Sequence, residues 1–200
     1  MEPDREPDRD AVPVWRGPAD LPRPWRGCVA TVGVFDGLHL GHRALIRTAV
    51  AEAARHGLPA VLVTFDPHPL AVVDPARTPR LLTTVDERAA LAAAAGISGV
   101  YVCRFDLAVA RTAPARFVAD VLVGALGVVG VVVGEDFRFG AENAGDVDLL
   151  RGAGVEAGFD VHAVRLVTAD GRRCSSSLVR RYVHEGRDRD AARVLGRPAP

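Results

Sequence analysis

The chain has 200 residues, of which 48% are hydrophobic, so it can bury a core as a single domain. Its 25 basic and 25 acidic residues cancel, which argues against a broad nucleic-acid or membrane surface. No apolar run approaches the roughly 18 residues that a membrane span needs.

The cysteines and the N-terminus indicate a reducing compartment. Cys28, Cys103 and Cys174 are far apart and lack C-x-x-C spacing, so they are predicted to be buried free thiols. The acidic, proline-containing N-terminus is unlike a signal peptide. The sequence therefore predicts a cytoplasmic protein.

Residues 1–27 contain many acidic residues, arginines and prolines and show no hydrophobic periodicity. Such a composition is typical of a segment that does not bury a core of its own. We predict a flexible N-terminal arm over 1–27, with Trp15 and Trp25 as anchors for parts of it, and one domain over 28–200.

The stretch 28–42 contains the first candidate site. Residues 28–35 are apolar and β-branched, which predicts a buried strand, and helical spacing of apolar residues begins after Arg43. The stretch contains three glycines and the histidines His39 and His42. A glycine-bearing turn before a helix offers free N–H groups and the positive helix end to an anion. We interpret the turn as a nucleotide-phosphate site; the alternative is a pair of surface histidines.

Two common phosphate-binding motifs are absent from the sequence. It contains neither G-x-x-x-x-G-K-[ST] nor G-x-G-x-x-G, which excludes a Walker loop and a dinucleotide fingerprint. The His-x-Gly-His spacing is instead similar to the HxGH motif of nucleotidylyltransferases, which transfer nucleoside monophosphates from nucleoside triphosphates.

Strands and helices alternate along the rest of the chain. Further strands are predicted over 60–65, 99–105, 128–133 and 159–167, and helices after the Thr84–Glu87 capping box, near Pro114 and after Asp146. Continuous apolar strands that alternate with helices indicate a parallel sheet covered on both faces. The predicted fold class is α/β, a Rossmann-like doubly wound parallel sheet of about five core strands.

The ends of three predicted strands carry polar and aromatic residues. They are Phe35-Asp36, Phe65-Asp66-Pro67-His68 and Glu135-Asp136-Phe137. Since ligands of doubly wound sheets bind outside the carboxyl ends of the strands, the three turns are expected to converge on one cleft. Asp36, before a glycine, is interpreted equally well as a turn former or as a contact.

Four segments occur in an order that identifies a family resemblance. They are VGVFDGLHLGH at 32–42, VTFDPHP at 63–69, VGEDFRFG at 133–140 and SSSLVR at 175–180. Together they resemble the FMN adenylyltransferase module of bacterial bifunctional riboflavin kinase/FAD synthetases. The resemblance covers about Cys28 to Pro198, and 191–198 resembles the module's last helix.

The resemblance implies transfer of AMP from ATP to FMN, giving FAD and pyrophosphate, with Mg²⁺ accompanying ATP. It implies small-molecule substrates and leaves the oligomeric state open. The family's riboflavin kinase domain would begin where these 200 residues end. We therefore expect no kinase domain within 28–200, and a separate riboflavin kinase as the possible source of FMN.

The implied ATP site combines the first turn with the segment 175–180. Its expected residues are Gly33, Val34, Phe35, His39, Gly41, His42, Ser175, Ser176, Ser177 and Arg180. The phosphate of FMN is already a nucleophile, so catalysis reduces to aligning two anions and stabilising the leaving pyrophosphate. His39 and His42 are expected to hold the ATP phosphates, Arg180 to meet the leaving phosphates, and Ser176 to add a hydroxyl donor.

The implied flavin site lies at the ends of the second and fourth predicted strands. Its expected residues are Phe65, Asp66, Pro67, His68, Asp136 and Phe137. Asp136 would accept from a flavin ring N–H, at a position where family members often carry Asn. Asp66 would either hold the metal ion or cap the turn with Pro67, and both interpretations stay open.

One departure from the family and two alternative functions remain. Arg187 stands where family members commonly carry an acid, which would lower activity if that acid contributes to turnover. The alternatives are a nucleotidylyltransferase for another phosphorylated acceptor and a nucleotide- or flavin-binding homologue with weakened catalysis. The segments 65–69 and 135–139 argue against the first, and the intact histidines and arginine of the ATP site argue against the second.

Overall fold

A six-stranded parallel sheet forms the centre of the computed structural model, which describes residues 12–199. The strands are β1 (Val14–Trp15), β2 (Cys28–Val32), β3 (Ala60–Asp66), β4 (Gly99–Arg104), β5 (Val128–Gly134) and β6 (Asp160–Val164). Their order is β1-β4-β3-β2-β5-β6, and each neighbouring pair is parallel. The winding reverses between β2 and β5, which is where such sheets bind ligands at the carboxyl ends of their strands.

Helices connect the strands and cover the sheet. They are α1 (Leu40–His56), α2 (Pro69–Val73), α3 (Val85–Ala93), α4 (Leu107–Ala110), α5 (Pro114–Phe117), α6 (Val147–Ala157), α7 (Ser176–His184) and α8 (Asp188–Leu195). The helix α5 continues as a π-helical stretch over Val118–Ala125, and 3-10 turns span Pro18–Asp20, Pro75–Arg77 and Ala141–Asn143. An antiparallel hairpin of β7 (Thr168–Ala169) and β8 (Arg172–Arg173) precedes α7.

Two apolar clusters lie on opposite faces of the sheet, because successive side chains of a strand point to opposite sides. Along β2, Ala30 and Val32 belong to one cluster and Val29 to the other. All residues of β2 are buried, as expected for a parallel strand covered on both faces. A third cluster joins α7 to α8, and Leu40 at the start of α1 packs against it.

The predicted α/β fold and its five core strands are confirmed, although some element ends differ. The first strand ends at Val32 and not at Phe35, because Phe35 turns the chain with a left-handed φ of 54°. The helix after it begins at Leu40, before Arg43, since His39 caps it. The capping box that begins at Thr84 is present as predicted.

Within the predicted N-terminal arm over 1–27, residues 12–27 contact the domain through the two tryptophans predicted as anchors; residues 1–11 lie outside the described residues. The short strand β1 pairs with β4, and Trp15 is buried over Gly99, where an added Cβ would lie 2.2 Å from the indole ring. The Trp25 indole donates to the Leu126 carbonyl at 2.7 Å. A two-residue strand is too short to show a hydrophobic period, so only the two large apolar tryptophans indicate in the sequence that this segment packs on the domain.

The predicted free thiols are confirmed. Cys28, Cys103 and Cys174 are unpaired and buried, and burial raises the pKa of Cys28 and of Cys103 to about 12. Among residues 12–199, no helix combines the length and the apolar character that crossing a bilayer requires.

Candidate active site

The turn between β2 and α1 is held in shape by contacts from other segments. Phe35 and Leu38 are buried and have positive φ angles of 54° and 39°, which cost a non-glycine residue free energy. The Val34 carbonyl accepts hydrogen bonds from Thr64 Oγ1 at 2.8 Å and from Arg88 Nη1 at 3.1 Å. Residues of β3 and α3 therefore stabilise the strained conformation of the turn.

His39 and His42 stack on each other at the first turn of α1. Their ring centroids are 3.6 Å apart, and His39 Nδ1 accepts from the His42 backbone N–H at 3.3 Å. Gly41 leaves room for this arrangement, since a Cβ there would lie 3.0 Å from the His39 ring. Nδ1 of His42 is buried and has no hydrogen-bond partner among the described residues. A bound phosphate oxygen would satisfy this atom.

The surroundings of the two imidazoles favour their neutral forms. Burial and then the charge of Arg173 lower the pKa of His39 to about 4, against a smaller opposite effect of Asp36. Burial, followed by His39 and Arg88, lowers the pKa of His42 well below its usual value. A neutral imidazole keeps one N–H donor, so the pair can bind phosphate oxygens without carrying a buried charge.

The Asp36 carboxylate connects the turn to two other segments. Its side chain is 1% exposed and accepts from the backbone N–H groups of Leu82 and Thr83, each at 2.9 Å. It also forms an ion pair with Arg180, whose Nε donates to the Arg80 carbonyl at 2.8 Å. Asp36 thus fixes the Arg180 guanidinium next to the turn.

The three serines at the start of α7 have different surroundings. Ser175 caps the helix and accepts from a backbone N–H of its first turn at 3.2 Å. Ser176 Oγ donates to the Asp36 carbonyl at 2.7 Å, which joins the start of α7 to the turn between β2 and α1. Ser177 is exposed and lines an open basic cavity on the surface. The arginines of that cavity are Arg172, Arg173 and Arg181.

A cavity at the ends of β2 and β5 combines polar side chains with apolar residues such as Val32 and Val164. We call it the polar cavity; its lining includes Gly33, His39, Gly41, His42, Leu45, Asp136, Phe137, Arg173 and Ser175. Asp136 and Arg173 form an ion pair there, so the carboxylate is neutralised by a neighbouring cation. The cavity thus offers imidazoles, a guanidinium and the N-terminal end of α7 to an anion.

A second cavity, of about 330 Å³, lies beside the first and is lined by aromatic rings. We call it the aromatic cavity; its rings are Phe65, Phe105, Phe117, Phe137 and Phe139. Phe137 and Phe139 are stacked with centroids 5.4 Å apart, and Phe65 meets Phe105 edge-on at 5.7 Å. Gly33 and Phe137 line both cavities, so the two are adjacent.

The predicted site residues fall into groups by location. The polar cavity is lined by Gly33, His39, Gly41, His42, Ser175, Asp136 and Phe137, and the aromatic cavity by Gly33, Val34, Phe65 and Phe137. Ser176 and Arg180 bind Asp36, while Phe35 is buried against the His42 ring at 5.0 Å. Asp136, predicted to contact the flavin, thus faces the polar cavity.

Three residues predicted for the flavin site line neither cavity of the described chain: Asp66, Pro67 and His68. Asp66 pairs with Arg16 at 3.4 Å, and His68 caps α2. Burial and then the charge of Arg180 lower the pKa of His68. These residues therefore lie beside the candidate site and not on its walls.

Sequence reasoning missed several residues that build the site. They are Asp36 as an anchor, Thr64, Arg88, Arg173, and the rings of Phe105, Phe117 and Phe139. Arg88 had a signal, because Val85, Arg88 and Ala92 share the inward face of their helix at spacings of three and four residues. The three rings come from separate segments, and only the tertiary fold brings them together.

Several curated relatives are similar to this chain over most of its length. A protein from Pseudomonas fluorescens named bifunctional riboflavin kinase/FMN adenylyltransferase is 39% identical over 183 residues, which is 92% of this chain and 58% of the relative. A protein of the same name from Escherichia coli K12 is 38% identical over 88% of this chain and 56% of its own length. The chain thus spans somewhat more than half the length of these relatives. A putative bifunctional riboflavin kinase/FMN adenylyltransferase from Geobacillus thermodenitrificans is 36% identical over 86% of this chain and 91% of its own length.

Solved structures share the fold. The crystal structure of a protein named macrolide-efflux protein, from Streptococcus pneumoniae, superposes with a TM-score of 0.81 at 24% identity, covering 94% of this chain and 62% of that one. A pantoate–β-alanine ligase from Francisella tularensis gives 0.56 at 12% identity, covering 90% and 85%. At these identities the likeness concerns the fold alone. A family model described as FAD synthetase matches residues 21–178, most of the chain, and together with the relatives this shows that the chain belongs to the FAD synthetase family.

Proposed function

We propose that the chain is an FMN adenylyltransferase that uses ATP and FMN to make FAD and pyrophosphate. The observation that carries the proposal is the contact between the two cavities at Gly33 and Phe137. A nucleotide in the polar cavity and a flavin in the aromatic cavity would bring their phosphates together at this boundary. Such juxtaposition is the main requirement of a transfer between two bound phosphates.

In the proposed reaction an oxygen of the FMN phosphate attacks the α-phosphorus of ATP. A new P–O bond forms, the bond between the α-phosphorus and the bridging oxygen breaks, and pyrophosphate leaves with that oxygen. The nucleophile is already anionic, so the chain needs no general base, and its task is to align the reactants and to stabilise charge. The neutral imidazoles of His39 and His42 and the N–H groups of the turn supply donors for this charge.

Arg180 is proposed to bind the leaving phosphates without giving up its protein contacts. Its Nε and Nη2 atoms bind the Arg80 carbonyl and Asp36, and within the described residues Nη1 makes no hydrogen bond. The ion pair with Asp36 orients the guanidinium, so Nη1 can meet a phosphate oxygen in a fixed direction. Ser175, Ser176 and Ser177 are proposed to position the same phosphates from the start of α7.

Magnesium is proposed to enter with ATP. Mg²⁺ keeps several waters and is usually held by substrate phosphates with one or two carboxylates. The described residues contain no group of three or more His, Cys, Asp or Glu side chains that would form a protein cage. Asp66, whose side chain is 45% exposed beside the two cavities, is the proposed carboxylate and would exchange its ion pair with Arg16 for the bound ion. The ion would supply charge neutralisation to the phosphates.

Two other functions fit the structure less well. A small aliphatic acceptor, such as an alcohol phosphate, would not use five phenyl rings, whereas a flat flavin ring packs on such walls. A binding protein without turnover would not need the stacked imidazoles or the oriented arginine. Both observations favour the transfer of adenylate to FMN.

The test is FAD formation by the purified chain with ATP, FMN and magnesium, measured by chromatography together with pyrophosphate release. We expect FAD and pyrophosphate in equal amounts, with CTP and with non-flavin phosphates as poor substitutes. Folded protein that makes no FAD above background at saturating substrates would contradict the proposal. Riboflavin in place of FMN tests the expectation that these 200 residues act on FMN and leave riboflavin unphosphorylated.

A further inference from the structure

A buried arginine lies behind the walls of the aromatic cavity. Arg88 is 1% exposed, although arginine is almost never fully buried unless its guanidinium is paired. It occupies an inward position of α3 together with Val85 and Ala92, where an aliphatic side chain would fill the same space. Burial of a guanidinium costs free energy, so this position requires a compensating role.

The two Nη atoms of Arg88 bind backbone and a hydroxyl near the ends of two central strands, while its buried Nε has no hydrogen-bond partner among the described residues. Nη1 donates to the Val34 carbonyl at 3.1 Å and to Thr64 Oγ1 at 3.0 Å, and it lies 3.5 Å from the Phe65 carbonyl. Nη2 donates to the Thr83 carbonyl at 3.4 Å. Val34 and Phe65 both line the aromatic cavity. One guanidinium therefore joins two walls of that cavity to the segment that precedes α3.

Thr64 extends this arrangement to the strained turn. Its hydroxyl donates to the Val34 carbonyl at 2.8 Å and accepts from Arg88, so it uses both of its functions. Phe35, which follows Val34 in the turn, has the positive φ of 54° and packs against the His42 ring. Loss of these donors would release the turn and the cavity wall together.

The charges around Arg88 do not suggest an ordinary salt bridge. Among the described residues no carboxylate is hydrogen-bonded to it; Asp36 and Asp66 act on it through their charges only. Its own charge contributes to the lowered pKa of His42 and of His68. A buried arginine kept for stability alone would be expected to contact a carboxylate, whereas this one binds backbone carbonyls of the cavity wall.

We propose that Arg88 is a positioning residue for binding of the acceptor. It holds the Val34 and Phe65 walls of the aromatic cavity in place relative to the turn between β2 and α1. This inference rests on the proposed function, since it assumes that the acceptor is FMN. Arg88 acts through the carbonyls and Thr64, and it does not line either cavity. Its removal should therefore weaken acceptor binding more than ATP binding.

The test compares Arg88→Met, Arg88→Lys and Thr64→Val with the unchanged chain. Quenching of flavin fluorescence gives the Kd for FMN without turnover, and steady-state assays give KM for FMN and for ATP. In Arg88→Met, the carbonyls of Val34 and Phe65 lose a charged hydrogen-bond donor. The FMN Kd should therefore rise by about 10-fold, while KM for ATP changes by less than about 3-fold. Arg88→Lys should be intermediate, since it keeps the charge but not the forked donors.

Ala92→Gly is the matched control for stability. Ala92 is buried in the same helix one turn further on and lies outside both cavities. This variant should lower Tm and leave the FMN Kd unchanged. Thr64→Val should raise the FMN Kd, as Arg88→Met does. In the double variant Arg88→Met/Thr64→Val, the factor by which the FMN Kd rises should be smaller than the product of the factors of the two single variants, because the two residues act through the same contacts.

The outcomes separate the two levels of the argument. If the unchanged chain neither binds FMN nor makes FAD, the proposed function fails and this inference fails with it. If the unchanged chain is active and folded Arg88→Met retains its FMN Kd, only the positioning role of Arg88 is overturned. Where Arg88→Met does not fold, unchanged FMN Kd values in both Arg88→Lys and Thr64→Val overturn it equally.

Discussion

The two cavities at the reversal of the sheet are built by different means. The polar cavity depends on directed contacts: stacked imidazoles, an N-cap, and an Asp36–Arg180 pair that ties α7 to the turn. The aromatic cavity depends on the packing of phenyl rings from several segments, such as Phe65 and Phe117. Removal of one atom abolishes a hydrogen bond or an ion pair, whereas removal of one ring from a packed wall takes away only part of the apolar contact with a ligand. Substitutions on the two sides should therefore differ in size and in kind.

The largest effect is expected on the polar side. His42→Ala removes one imidazole of the stacked pair and a donor to the ATP phosphates. We expect turnover to fall by about 100-fold or more, which corresponds to about 2.7 kcal/mol of transition-state stabilisation. The rate of FAD formation at saturating substrates measures this.

His56→Ala is the matched control for that substitution. His56 lies at the opposite end of the same helix and is exposed, so its loss should leave turnover unchanged. Near-normal turnover of His42→Ala would contradict the assignment of the phosphate site. The polar cavity would then no longer be the proposed ATP site.

The buried imidazoles should also make stability depend on pH. His39 has its pKa lowered to about 4 in the folded protein, against about 6.5 in an unfolded chain. The unfolded state therefore binds more protons between these values, and stability is complete above pH 6.5 and decreases as the pH falls towards 4. From pH 7 to pH 5 this one group should cost about 2 kcal/mol of unfolding free energy.

Urea unfolding of the unchanged chain and of His39→Gln at pH 7 and pH 5 measures this contribution. The variant lacks the titrating group, so its stability should fall less over this interval by the stated amount. Equal losses in the two proteins would show that His39 is not held neutral, and with it the argument for neutral phosphate donors would fail.

A reciprocal pair of substitutions tests whether the cavities bind different substrates. Leu45 lines only the polar cavity and Phe105 only the aromatic one. Loss of apolar contact should raise KM for ATP by about 10-fold in Leu45→Ala and KM for FMN by about 10-fold in Phe105→Ala. Each variant should leave the other substrate's KM nearly unchanged, so each serves as the other's control. A swapped pattern would exchange the two assignments.

More of the predicted site residues line the polar cavity than the aromatic cavity, for a physical reason. His39, Gly41, His42 and Ser175 lie in short segments in which glycine and helix-cap chemistry is local, and they line one cavity. The rings that complete the other cavity follow no local rule, since long-range packing alone brings Phe117 next to them.

Asp36 and Arg88 show why the remainder could not be predicted. Asp36 precedes a glycine, which is a common turn pattern, and its partners lie 46 to 144 residues away along the chain. Arg88 looked like one more charged residue after a capping box. Helical spacing places Arg88 on the inward face of α3, but the hydrogen-bond partners of both residues depend on which segments meet in space, and no sequence period records these partners.

The smallest effect is expected at Arg187, a position at which the family resemblance of the sequence implies an acid. Arg187 lies before α8 and outside both cavities, forming ion pairs with Glu185 at 3.2 Å and Asp190 at 2.8 Å. Its guanidinium also stacks over Tyr182 at 4.4 Å. These contacts serve to join α7 to α8, so Arg187→Asp should lower Tm slightly and change FAD formation by less than about 2-fold. Arg187→Ala removes the cation without adding an acid and should behave alike. A several-fold gain in turnover for Arg187→Asp alone would mean that an acid at this position contributes to the reaction, and that the polar site extends to the α7–α8 junction.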